Sequence, residues 1–507
     1  MINIILLSFA FIFFVISLIP SYLLLIKKCG YIWFLPCIIH CIKTKIRFSN
    51  TKGIKHIMFL FVDNFDPEVG NASKLQARSR VNQWLRYYPK LAKNHRDADD
   101  RAPQHTWFYP CGRDISFLST LSELPFRGLG EIELHLHHDR DDSESLYRKI
   151  EAVKHNFLKR GACITAEQTP RQYYGIIHGN WALDNSRPDG KFCRVNDEFT
   201  VLKNTRCYAD FTMPSAPHPT QTRKVNSIYY AKDNPRKPKS HNKGIDAKVG
   251  FRNRTDFLLV QGPLGICWND HHKRWNPDIE NGEISSDKPP TKKRVDRWIK
   301  SNIHVKGRPN WIFVKVYAQG APDNQHAVLL GKPLHEMFTY LETQFNDGKN
   351  YQLHYVTARE AYNIIKAAED GKDGNPGNYR DYIIPPYVNT RIRANVLYEL
   401  KSYSKDKLEI FNLQKDRYSR FAIKKGQLEK IEGIISSLKF RRYYQKRILV
   451  LNVVGKNQIN LSVRTERPIR RVDGGRIIKI KRMNRYHISH IRSELRSGIN
   501  NQIVIKW

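Results

Sequence analysis

Residues 351–369 read YQLHYVTAREAYNIIKAAE, and this stretch decides the fold class. Tyr351–Val356 is a short, largely apolar run of strand-forming residues. Thr357 follows it, and Glu360 stands three residues later. At that spacing an N-cap hydroxyl and a Glu at the third helical position satisfy each other's backbone donors. Residues 358–369 then read as a helix, so strand, cap and helix follow one another directly. Such a joint is characteristic of α/β proteins.

Working outward, similar runs recur upstream. Residues 55–62 (KHIMFLFV) are almost continuously apolar, as in a strand buried on both faces. Residues 131–137, 173–178, 256–261 and 311–316 are of the same kind, and residues 143–160 and 292–302 read as helices between them. Alternation of this sort predicts a (β/α) barrel or an open parallel sheet. Two polar stretches, residues 213–250 and 269–290, interrupt it as long loops, and a Gly/Asn/Pro cluster at 371–386 closes it.

Residues 2–26 carry no charged side chain and are mostly Ile, Leu, Phe and Val. A helix of that length crosses the roughly 30 Å hydrocarbon layer. With no basic residue among Met1, Ile2 and Asn3 and no small-residue exit, it is expected to stay as an anchor rather than be cleaved. Lys27, Lys28, Lys43, Lys45 and Arg47 follow, and the positive-inside bias then puts the rest of the chain on the cytoplasmic side. Residues 31–42 are too short to cross and contain Pro36 and His40, so they are expected to lie in the interface. The eight scattered cysteines form no CxxC pair, in keeping with a reducing compartment.

The net charge of +37 and pI near 9.9 call for an anionic partner surface. After Val388, 29 Lys and Arg stand against 9 Asp and Glu, among short strand-like segments at 447–454, 458–463, 476–480 and 501–505. The chain is therefore expected to comprise a membrane anchor and juxtamembrane segment (1–50), a main α/β domain (51–386) and a basic β-rich domain (387–507). That last domain is expected to meet anionic lipid or acidic polysaccharide. The basic runs 439–447 and 479–485 lie beside Tyr443, Tyr444 and Tyr486, but no nucleic-acid motif accompanies them, and nucleic acid is set aside as a partner.

The densest chemistry lies in residues 133–142, ELHLHHDRDD. On a strand, Glu133, His135 and His137 share a face, and His138 and Asp139 come just beyond its end. His135, His137, His138 and Asp139 form a candidate divalent-metal site, the alternative being a polar strand end at the surface. Asp63 emerges at the end of the strand at 55–62, where barrel active sites are built, and could ligate a metal or accept a proton. An Asx-turn closing that strand is the alternative. His178 ends its strand in HGNW and would face the same mouth, or else shape the loop through hydrogen bonds.

Taken together, Val62-Asp63-Asn64 and, further on, Glu131-Ile132-Glu133-Leu134-His135 resemble the paired motifs of the polysaccharide deacetylase superfamily, the NodB-like carbohydrate esterases. The resemblance covers residues 55–370, and is strongest to bacterial members with stretches like residues 177–186 (IHGNWALDNS) and 208–212 (YADFT). It implies a (β/α) barrel of polysaccharide-deacetylase type. Asp63 would be general base and His135 a ligand to a divalent metal, Zn²⁺ in this family. The substrate would be an N- or O-acetylated sugar in a polysaccharide or a lipid-linked glycan. Three positions depart from the pattern. Asn64 stands where a metal-binding Asp is usual, Asp139 where a second His is usual, and Tyr317 where a general-acid His is usual. A phenol with a pKa near 10 is a poor acid for amine departure. Two rivals therefore stand beside a membrane-anchored deacetylase: a barrel that binds glycan without hydrolysing it, and a membrane scaffold acting through its basic C-terminal domain.

Overall fold

The computed structural model describes residues 29–50, 53–159, 172–268, 277–387, 408–411, 418–423, 428–443, 448–465, 468–483, 486–496 and 500–506. The chain is α/β, with a large, mostly parallel central sheet and a β-rich C-terminal region. It divides into two compact units, one built from residues 1–113, 133–153 and 173–384 and the other from 114–132, 154–172 and 385–507.

The central sheet belongs to the first unit and is organised around β1 (Lys55–Asn64). Eight consecutive residues of β1, from His56 to Asp63, are buried, which explains why its sequence is apolar without alternation. On one side β1 pairs in parallel with β11 (Trp311–Ala318). Its other side is shared. Lys55–Leu60 pairs with β12 (Tyr351–Val356), and Phe61–Asn64 pairs with β2 (His105–Pro110). From β2 the sheet continues through β3 (Gly130–Leu136), β4 (Tyr174–His178), β5 (Cys207–Asp210), β8 (Phe257–Val260), β6 (Ile228–Ala231) and β7 (Ile245–Asp246). The β8–β6–β7 end is antiparallel.

Side chains from this sheet converge on one core. Met58, Leu60 and Val62 of β1 meet Phe108 of β2, Ile177 near the end of β4, Leu258 and Val260 of β8, and Phe313 of β11. The helix Ala358–Glu369 completes it with Ala361, Ile364, Ile365 and Ala368. That helix starts as its sequence foretells. Thr357 Oγ1 accepts from Glu360 N at 3.3 Å, and Glu360 Oε2 accepts from Thr357 N at 3.0 Å.

The outlines differ from expectation where local pattern is weak. β3 ends at Leu136, so His137 stands just past the end of the strand, its ring edge-on to that of His135. The polar stretch 213–250 is no plain loop, since it holds β6, β7 and two cis prolines at Met213-Pro214 and Ala216-Pro217. Residues 277–280 form β10, which pairs antiparallel with β9 (Gly265–Trp268). Residues 30–50 form a single helix. Among the described residues no helix is long and apolar enough to cross a membrane. The span expected at 2–26 lies outside the described residues.

In the second unit the C-terminal strands form an antiparallel sheet. Its main path is β13 (Leu408–Phe411), β14 (Tyr418–Ile423), β15 (Leu428–Tyr443), β16 (Ile448–Thr465), β19 (Tyr486–Leu495) and β18 (Arg476–Met483). Also, β20 (Asn500–Lys506) pairs with β16 and with β17 (Arg471–Asp473). Alternate residues Ile459, Leu461 and Val463 are buried together with Ile491, Ile503 and Ile505, the period-two signature of a sheet with one covered face.

Candidate metal centre

The carboxyl ends of the parallel strands face a cavity of about 310 Å³. In open or barrel-forming parallel sheets this is the edge at which ligands bind, because the loops that follow the strands are free to vary there. Asn64 and Asp66 reach the cavity from the loop after β1, Arg113 after β2, His137 after β3, His178 and Trp181 after β4, and Tyr317 from β11. Asp66 Oδ2 accepts from Arg113 Nε and Nη2 at 3.1 and 2.8 Å. Tyr317 Oη accepts from Asn281 Nδ2 at 2.9 Å, which leaves its own proton for another acceptor. Burial pushes the Tyr317 phenol well above its ordinary value, so it enters the site as a donor.

In the wall of this cavity, behind His178, four buried side chains converge: His138, His178, Cys193 and Glu198. His138 follows β3, His178 ends β4, Cys193 lies in the loop after it, and Glu198 opens the short helix Glu198–Asn204. His138 Nε2 and His178 Nε2 are 3.0 Å apart, and each lies 3.1 Å from Glu198 Oε1. Cys193 Sγ is 3.6 Å from Glu198 Oε2, and all four ligand atoms fall within 4.8 Å of one another.

The protonation pattern tests whether a cation fits. His178 Nδ1 donates to Gly179 O at 2.8 Å, so in the neutral ring Nε2 is the nitrogen free to bind a metal. His138 Nδ1 faces Asp141 Oδ2 at 3.3 Å, inside ion-pair range although outside hydrogen-bond geometry. In the neutral ring that carboxylate favours the proton on Nδ1, which makes Nε2 the ligand nitrogen here too. Two imidazole nitrogens, a carboxylate and a thiol thus converge on one point, where a bound cation would take the place of the protons they share. Outer partners on the far ring nitrogens are the usual support of histidine ligands. The electrostatics agree. Burial alone would raise Glu198, but His178 and His138 outweigh it and hold the carboxyl far below its usual range. For His178, burial works against a proton, yet Glu198 more than offsets it and raises the ring. The cluster has a standing affinity for positive charge.

The backbone around the ligands is strained. Arg140, Asn180, Trp181, Asp184, Asn185, Phe192 and Arg194 all have positive φ between 50° and 71°. Left-handed Trp, Phe and Arg each carry a cost, and such residues gather where surrounding contacts over-determine the chain. Gly179 is required for a different reason. A Cβ there would collide with the His137 ring.

Of the candidates drawn from sequence, His138 and His178 meet in the cluster. His135 is buried on β3 and is not among the four converging side chains, its Nδ1 donating to Ile177 O at 3.0 Å. His137 packs edge-on against it at 4.2 Å between ring centroids and reaches the cavity. Asp139 is exposed, and its Oδ1 accepts from Phe192 N at 2.9 Å, steadying the segment that carries Cys193. Asp63 is fully buried outside the cavity lining, where Oδ1 accepts from Gly320 N at 2.6 Å and Oδ2 lies 2.9 Å from His105 Nε2. Cys193 and Glu198 had no sequence signal at metal-ligand spacing. Glu198 reads as an ordinary acid in the first turn of a helix.

No family model matches the chain, and no curated protein matches it. The functional reading therefore rests on the geometry of this site.

Proposed function

We propose that the chain is a membrane-anchored, metal-dependent deacetylase of N- or O-acetylated sugars in a polysaccharide or lipid-linked glycan. The observation that carries this reading is the convergence of His138, His178 and Glu198 at 3.0–3.1 Å in the wall of the strand-end cavity. Two histidines and a glutamate form a donor set used by catalytic zinc sites, and Zn²⁺ suits a mixed nitrogen, oxygen and sulfur environment. When bound, Zn²⁺ supplies Lewis-acid polarisation of an acyl carbonyl and lowers the pKa of water.

The chain's own residues supply the rest. Trp181, 38% exposed at the cavity, offers an aromatic face to a sugar ring. Tyr317, its oxygen already engaged by Asn281, can donate its proton to oxygen charge that develops on the acyl group. Arg113, held by Asp66, places a fixed cation at the same mouth. His137, next to the ligands, is lowered by burial and by His178, so it meets substrate as a neutral ring able to accept a proton. Asp63 acts on the architecture of the site rather than on substrate. Convergence of the strand faces on one core supports a (β/α) barrel, with residues 2–26 as tether and the main unit on the cytoplasmic side.

A second reading is favoured by Cys193. With all four ligand side chains buried, the site has the closed form of a structural zinc centre, and the cavity would bind glycan without cleaving it. Metal content and acetate release from acetylated glycans, measured on the full chain and on His178→Ala, separate the readings. Metal and acetate release, both lost in the variant, support the deacetylase. Metal with no release supports the glycan-binding form. A folded chain with no metal removes both.

A further inference from the structure

The helix Gly30–Asn50 is docked on the first unit by one face only. Ile32, Trp33 and Cys37 are buried against Ala216, Val225, Leu264 and Ile279. Cys37 Sγ donates to Leu264 O at 3.3 Å, and His40 Nε2 lies 2.7 Å from Ser301 O. The other face stays uncovered. Tyr31, Leu35, Ile39 and Ile42 are 70, 64, 43 and 57% exposed. Steps of four, four and three residues put them on a single helical stripe.

Beside this helix lies a cavity of about 520 Å³. Cys41 and Thr44 line it from the helix, Leu264 and Ile266 form an apolar part of its wall, and Arg297 and Lys300 stand at it from the helix Lys292–Lys300. Glu280 also lines it, but its oxygens accept from Arg294 Nε and Nη2 and from Trp298 Nε1. The charge the cavity presents is therefore positive, over an apolar lining.

Two observations say what covers this surface. Residues 2–26, immediately upstream, are uncharged and mostly apolar, Lys27 and Lys28 precede the helix, and Lys43 lies within it. A stripe of large apolar residues bordered by lysines matches the layered chemistry of a lipid interface, acyl chains beneath phosphates. A second copy of the chain is a poor match, because a net charge of +37 on each opposes self-association.

We propose that the outer face of the helix Gly30–Asn50 and the adjoining cavity form a docking surface for an anionic bilayer. Tyr31, Leu35, Ile39 and Ile42 sit among acyl chains, and Arg297 and Lys300 hold the phosphate of a phospholipid. The surface fixes how the first unit lies on the membrane, independently of whether its strand-end cavity is catalytic.

The test uses the full chain in nanodiscs of phosphatidylcholine, or of an equal mixture with phosphatidylglycerol. A photo-crosslinking residue replaces Leu35 or, as an apolar control, Leu75, which is 80% exposed on another helix. Lipid adducts should form several-fold more at position 35 than at 75, and should favour phosphatidylglycerol in the mixture. That preference should fall with added salt. Charge reversal by Arg297→Glu with Lys300→Glu should abolish the preference while adducts at position 35 persist. Equal adducts at the two positions, adducts mainly to a second copy of the chain, or a headgroup preference that survives charge reversal would each overturn the proposal.

Discussion

His138 Nε2 and His178 Nε2 face each other at 3.0 Å, and each ring has its remaining nitrogen directed at a separate acceptor. Rings so oriented are poised for a shared cation. The purified full chain is expected to hold one divalent ion per molecule. His138→Ala and His178→Ala should each lose it, and Asp141→Asn should weaken it by about 10- to 100-fold. His135→Ala should retain it, because His135 points to Ile177 O and stands outside the cluster. Elemental analysis after dialysis reads all four. Metal loss only in His135→Ala would return the site to the strand face.

Cys193→Ser asks how many ligands the protein supplies. If Sγ completes the shell, metal affinity should drop sharply and the cobalt-substituted protein should lose its thiolate-to-metal charge-transfer band. A weak effect on affinity with acetate release intact would leave three protein ligands and an open position, the catalytic form.

Asp63 should reveal itself through folding. Its carboxylate accepts from Gly320 N and pairs with His105 in a fully buried setting. Asp63→Ala leaves those donors without partners, which costs about 1–3 kcal/mol each. Gly320→Ala should destabilise the same corner, since a Cβ would strike the Asp63 carboxylate and Trp84. Denaturant midpoints measure both. An Asp63→Ala protein of wild-type stability that is merely inactive would restore a direct role in proton transfer.

These placements show which parts of the molecule could be read from the chain alone. The β12 strand and the Thr357 cap were legible because their signals are local: a short apolar run, then two side chains three residues apart. Strand β2 was not, since His105 and Pro110 interrupt its pattern and its burial comes from partners far away. At the metal centre, His138 stood out within a histidine-rich run, but nothing in that run singles it out from His135 and His137 as the member that joins the cluster. Cys193 and Glu198 come to the site only because β4 and the strained loop after it fold back on β3. Contacts of that range leave no periodic trace in sequence.

Acid should weaken the fold through His56. Its Nδ1 lies 3.0 Å from His354 Nε2, and His354 Nδ1 lies 2.8 Å from Asp99 Oδ2. Burial first, then the neighbouring His354, lowers His56 from 6.5 to about 4. The folded pKa is depressed, so the unfolded chain binds the extra proton between those values. Stability is full above about 6.5 and is lost as pH falls towards about 4, by up to roughly 3 kcal/mol. Denaturation midpoints of wild type should fall across this window more steeply than those of His56→Asn. Parallel pH profiles would refute the assignment.

Strand β1 is made early but finished late. Its partners are β2, close behind it, and then β11 and β12, which are complete only once residues 318 and 356 have been synthesised. Until residue 318 is made, the run KHIMFLFV has one full edge and most of the other open, the condition under which nascent chains misassociate. Biogenesis should therefore be the vulnerable stage of this protein's life. Slowing translation upstream of β11, or removing a chaperone that shelters emerging apolar segments, should lower its yield more than any comparable change applied after the last strand is complete.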